Sequence, residues 1–101
     1  MMGVLVRFQL ESVFNEERVQ QIAVAAQGRF KGMPGLRFKA FTVDNENKEA
    51  LNFYVWESED AARAFFTPEL VEQVTGLYGV RPSLRFTKVA ALVENQTSGD
   101  A

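Results

Sequence analysis

The sequence predicts an α+β fold of the ferredoxin-like kind: one domain in the order β-α-β-β-α-β, with a four-stranded antiparallel sheet and both helices on one face. Three observations carry that reading. Residues 4–10 alternate between apolar and polar side chains. Residues 19–33 place apolar side chains at spacings of three and four. Residues 36–43 and 51–56 are two aromatic and β-branched runs separated by a polar stretch, the pattern of a hairpin.

Each element has its own warrant. In the first strand Val4, Val6, Phe8 and Leu10 share one face, and Leu5, Arg7 and Gln9 the other. Asn15 offers a helix N-cap, with Glu16 and Glu17 in the first turn, where carboxylates suit the helix dipole. Val19, Ile22, Ala23, Ala26, Phe30 and Met33 form the apolar stripe of the first helix, and Gly32 is its expected stop. Met33-Pro34-Gly35 breaks the chain before the second strand, Leu36 to Val43. Residues 44–49 form the polar turn, and Leu51 to Trp56 the third strand. Ser58 caps a second helix carrying Ala61, Ala62, Phe65 and Phe66. Thr67 with Pro68 at the first helical position restarts it, with Leu70, Val71, Val74 and Leu77 on its apolar side. Gly76 and Gly79 end that piece, and Leu84 to Val93 is the fourth strand. The domain is thus expected over residues 1–94, followed by a flexible polar tail over 95–101.

Composition removes much chemistry. The 101 residues include no Cys and no His. Disulfides, thiolate nucleophiles, zinc-finger ligation and every Ser-His or Cys-His triad are therefore outside this chain's means. A metal site would have only carboxylates, carbonyls and water, and none is expected. The net charge of −2 leaves no basic excess for phosphate neutralisation, so nucleic acid is not an expected partner. The strand 35–41 looks superficially like an RNA-recognition strand, but its Phe residues stand three apart, on the second strand, in an acidic protein. The chain has no GxGxxG, P-loop or nucleophile elbow, and its carboxylate pairs fall at helix caps and a turn. No signal-like or membrane-spanning segment is present, so a cytoplasmic location and no membrane partner are the expectation.

A sheet covered by helices on one face leaves its other face to solvent or to a partner. On the third strand Leu51, Phe53 and Val55 are purely apolar and suit the helix side. Asn52, Tyr54 and Trp56 are amphipathic and are expected on the open face. There they line a dimer interface or form an apolar pocket with a few hydrogen-bonding groups. Arg7, Gln9, Arg37, Lys39, Arg85 and Thr87 are candidate neighbours, although Arg37 and Lys39 also read as ordinary rim charges. Whether Lys39 or Phe38 shares the face of Tyr54 depends on the register of strands two and three, which the sequence leaves open.

The run from Met33 to Thr42, the polar turn, Glu49-Ala50, and Tyr54 to Ala62 resemble the YdhR-type monooxygenases. These belong to the dimeric α+β-barrel superfamily, which includes the antibiotic-biosynthesis monooxygenases. The likeness covers Val4 to about Val93, and its collinearity rather than any single motif carries it. The resemblance implies a homodimer with two sheets face to face, and a pocket in each subunit between the sheet and its helices or loops. It further implies cofactor-independent oxygenation of a phenolic or anthrone-like substrate, whose carbanion reacts directly with O₂. Asn52 and Trp56 match the family's Asn and Trp spacing and would be the catalytic pair, with Tyr54, Arg7 and Lys39 as substrate contacts. Haem-degrading relatives depend on a His that this chain lacks. The alternatives are a non-catalytic dimeric small-molecule-binding or stress-related protein, and an isomerase of the muconolactone kind.

Overall fold

The eight-residue strand β1, Met2–Gln9, is the spine of the sheet, because both of its edges are paired. In the computed structural model, which describes residues 1–95, it is followed by a short 3₁₀ turn at Glu11–Val13 and helix α1, Glu16–Phe30. Next come β2, Leu36–Asp44, and β3, Glu49–Trp56. Helices α2, Glu59–Phe65, and α3, Pro68–Tyr78, lead to β4, Ser83–Lys88. The sheet order is β2-β3-β1-β4 with every pair antiparallel, and the helices cover one face. This is the ferredoxin-like α+β architecture the sequence predicts. Of the expected tail, residues 96–101 lie outside the described residues.

The caps form where local chemistry calls for them. Asn15 Oδ1 accepts from the Arg18 amide at 3.0 Å, Ser58 Oγ from Ala61 at 3.0 Å, and Thr67 Oγ1 from Leu70 at 3.1 Å. Each satisfies an amide that the first helical turn leaves without a partner. Gly79 closes α3 at φ 90°, a conformation open to glycine. The hairpin turn is held by Asp44, whose carboxylate accepts from the backbone and side-chain nitrogens of Asn47 at 3.0 and 2.8 Å. Those bonds favour the ionised form and lower its pKa.

The core lies between the sheet and the helices. Met2, Val4, Val6 and Phe8 of β1 meet Val19 and Ile22 of α1, Ala62 of α2 and Tyr78 of α3. The Phe8 and Tyr78 rings stack with centroids 3.8 Å apart.

Two expectations about strands are corrected. First, the faces of β3 are the reverse of those expected. Asn52, Tyr54 and Trp56 point toward the helices, while Phe53 is exposed. The cause is pairing: Val6 sits opposite Asn52, Val4 opposite Tyr54 and Met2 opposite Trp56. Residues directly opposite share a face, and the apolar face of β1 must meet the helices. Second, β4 ends at Lys88 rather than Val93, where its pairing with β1 stops at Met2↔Lys88.

Candidate active site beneath the helices

The register of β2 decides the chemistry. A bulge lies between Leu36 and Phe38, so Leu36 pairs with Trp56 and Phe38 with Val55. The extra residue switches the alternation once. From there Lys39 lies opposite Tyr54 and Phe41 opposite Asn52, both toward the helices, while Phe38 turns to the open face. Lys39 is thereby carried inward, not left on the rim.

Gly35 makes the approach to this strand feasible. It has φ +82°, and a Cβ there would stand 3.1 Å from Cβ of Ala61. Its carbonyl accepts from the Glu57 amide at 2.8 Å, tying the Pro-Gly break to the end of β3.

A cavity of about 60 Å³ lies between β2–β3 and helices α1 and α3. Its polar groups are Asn52, Tyr54, Lys39, Tyr78, Arg29 and Gln73; its apolar wall includes Phe30, Phe41 and Phe65. No carboxylate lines it among the described residues. Sites for drug-sized ligands run to about 300–1,000 Å³, so a ring system enters only if the walls part. The wall at Ile22, Ala26, Arg29 and Leu77 is shared with an outer groove of about 290 Å³ between α1 and α3. Arg18 spans this mouth, its Nη2 donating to the Leu77 carbonyl at 3.2 Å. A broader surface groove of about 530 Å³ runs along α1 and the edge strand β2. It shares Phe30, Lys39 and Phe41 with the cavity but lacks Asn52 and Tyr54, so the smaller space is the one where polar groups converge.

Within the cavity Asn52 Nδ2 donates to the Tyr78 hydroxyl at 3.3 Å, and Lys39 Nζ donates to the Tyr54 hydroxyl at 2.6 Å. Burial raises the pKa of both phenols, so both stay protonated at neutral pH. Lys39 Nζ also lies 3.6 Å from the centroid of Phe30, and 4.1 Å from those of Phe41 and Tyr54. Two effects act on this amine in opposite directions. Burial, then the charge of Arg29, pull its pKa from 10.5 down to about 7. Three ring faces attract the ammonium by about 1 kcal/mol each, or about two pH units together. The rings moderate the drop without reversing it.

Of the sequence-predicted residues, Asn52, Tyr54 and Lys39 come together at this cavity. Trp56 stands behind them, stacked on Tyr54 at 5.9 Å and packed on Phe65 at 5.0 Å. Its indole Nε1 is buried without an acceptor among the described residues. Arg7 does not join the others: it lies on the opposite face of the sheet, where its guanidinium donates to the Glu49 carboxylate. Gln9, Arg85 and Thr87 share that far face by the same pairing. Sequence reasoning missed Tyr78, Phe30 and Gln73. The stripe spacing that assigned Phe30 to the core is the same spacing that brings it over Lys39. Among the described residues no group of three or more acidic side chains converges on one point, and no helix is long and apolar enough to cross a membrane.

No protein-family model matches the chain, and no curated protein matches it. Solved structures do. A monooxygenase from the gene ActVA-Orf6 of Streptomyces coelicolor, in complex with nanaomycin D, is similar at TM-score 0.66 and 18% identity, over 94% of this chain and 92% of that one. SnoaB, a cofactor-independent oxygenase from Streptomyces nogalater, gives TM-score 0.64 at 15% identity, over 93% and 97%. NE2512 of Nitrosomonas europaea, a protein of unknown function, gives 0.67 at 10% identity, over 95% of each. At such identities the likeness is one of fold: this chain has the ferredoxin-like α+β architecture that antibiotic-biosynthesis monooxygenases also use.

Proposed function

We propose that the chain is a cofactor-independent monooxygenase of the YdhR type, acting as a homodimer on a small electron-rich aromatic such as a phenol or anthrone. The observation that carries this is the convergence of Asn52, Tyr54, Lys39 and Tyr78 on one aromatic-walled cavity in a chain without Cys or His. The fold it shares with SnoaB and the ActVA-Orf6 monooxygenase supports the same reading.

In this reading the substrate is deprotonated and its carbanion reduces O₂ directly. For an anthrone the methylene becomes a carbonyl. One oxygen atom enters the product, and the other leaves as water with the two hydrogens. Asn52 Nδ2 donates to the substrate oxygen as negative charge develops there, a contribution of the oxyanion-hole kind. The aromatic walls hold the ring and exclude water. The Trp56 N–H, which has no acceptor among the described residues, is the proposed donor to reduced oxygen, from its place behind Tyr54.

The open sheet face is the proposed dimer surface. Phe38 and Phe53 are 45% and 38% exposed there and meet edge-to-face at 6.3 Å. Leu5 and Leu51 extend the patch, and the Arg7–Glu49 pair borders it. Arg7 is accordingly assigned to the interface rather than to the substrate.

Oxygen uptake tests the activity. With anthrone and quinol substrates and a chelator present, uptake is expected in the unmodified protein and reduced at least about tenfold by Asn52→Ala. Absence of uptake across the panel, with ligand binding retained, would leave the non-catalytic binding protein as the better reading.

A further inference from the structure

We propose that Lys39, as a free amine, is the base of this cavity: its Nζ takes the acidic proton of a bound phenol or anthrone. The inference rests on the reading of the cavity as a site for such molecules, and it adds the group that starts the reaction.

The geometry leaves few other candidates. Among the described residues no carboxylate borders the cavity, and the chain has no His. Tyr54 and Tyr78 are phenols that burial keeps protonated, so neither is available as a phenolate base. Lys39 is held in place by its 2.6 Å hydrogen bond to the Tyr54 hydroxyl. Among the described residues, the charged and titratable groups lining the cavity with it are Arg29 from α1, Tyr54 from β3 and Tyr78 from α3, with the apolar Phe65 from α2; the outer groove that Lys39 also borders adds Lys31 and Arg37. Burial, and then the charge of Arg29, lower the pKa of this amine and so favour its neutral form. The rings of Phe30, Phe41 and Tyr54 then receive the ammonium once it forms. Burial and Arg29 thus bring the amine's pKa down toward the working pH while the rings limit that drop, and an amine whose pKa approaches the working pH is an efficient proton acceptor.

The step balances. The substrate O–H or C–H bond breaks and its electron pair stays on the substrate, giving a phenolate or enolate. The Nζ lone pair forms the new N–H bond. The resulting anion and ammonium face each other, and the Tyr54 hydroxyl hydrogen is free to donate to the anion.

Two measurements test this without relying on turnover. In the first, the Cε resonances of the four lysines are followed by NMR against pH in the unmodified protein. Lys39 is expected to titrate at least about one unit below the ordinary 10.4. Titration at the ordinary value overturns the proposal. In the second, 1,8-dihydroxyanthrone is bound under anaerobic conditions and its ionisation read by absorbance. The unmodified protein is expected to hold it as the anion at pH 7.5. Lys39→Met and Lys39→Gln are expected to bind it while lowering the anion-to-neutral ratio about tenfold or more. An undiminished anion in both variants, or a neutral probe in the unmodified protein, overturns the proposal while leaving the cavity assignment intact. Failure of the unmodified protein to bind the probe overturns the cavity reading, and this inference with it.

Discussion

If Lys39 is pulled toward neutrality by the fold, stability must depend on pH in a definite direction. The folded state gives Lys39 a pKa of about 7 against 10.5 in the unfolded chain. Between those values the unfolded chain binds the extra proton, so stability rises with pH and is lost as pH falls toward 7. The limiting slope for one such group is about 1.4 kcal/mol per pH unit, which integrates to about 3 kcal/mol from pH 7 to pH 9.5. Part of the side chain stays in contact with water, and the ring faces compensate in part, so a rise of about 1 kcal/mol is the discounted expectation. The upper limit of the window matters. Tyr54 has a raised pKa in the fold, so its contribution is present below its ordinary value near 10 and is lost above it. The assay is urea unfolding followed by the fluorescence of Trp56, the one tryptophan, at a series of pH values between 7 and 9.5. Lys39→Met is expected to flatten the curve over this window. A slope that survives the substitution would refute the reasoning, because it would assign the pH dependence to another group.

Other perturbations have equally definite outcomes. Phe53→Asp places a charge on the proposed dimer face, and light scattering behind size exclusion should show a shift from dimer to monomer without loss of fold. A monomer in the unmodified protein at micromolar concentration would sink the dimer proposal. Phe8→Ala removes a buried ring stacked on Tyr78 and should destabilise by about 3–5 kcal/mol in the same urea assay. Thr67→Ala removes the cap of α3 and should cost about 1 kcal/mol.

The helices and their caps were legible because they depend on a few neighbouring residues. Asn15, Ser58 and Thr67-Pro68 each act within one turn, and each cap forms as the local pattern requires. The faces of β3 were not legible in the same way. Leu51, Phe53 and Val55 look like core residues and Asn52, Tyr54 and Trp56 like surface residues. What decides between the faces is a pairing with β1 that spans some fifty residues of chain. The unequal faces of β1 held the relevant signal, since Val4, Val6 and Phe8 admit only one orientation. The position of Lys39 rests on the bulge after Leu36, a single extra residue that periodicity does not announce. The cavity residues Asn52, Tyr54 and Lys39 were therefore named from sequence, while their place beneath the helices came from non-local pairing. Arg7 was drawn to the same site only through the reversed face.

Cofactor-free oxygenation is tested by oxygen-isotope incorporation in chelator-treated protein turning over an anthrone under ¹⁸O₂. One ¹⁸O atom is expected in the carbonyl product, formed faster than the uncatalysed background and suppressed by Asn52→Ala. Product at the background rate, or product unaffected by Asn52→Ala, would contradict that expectation.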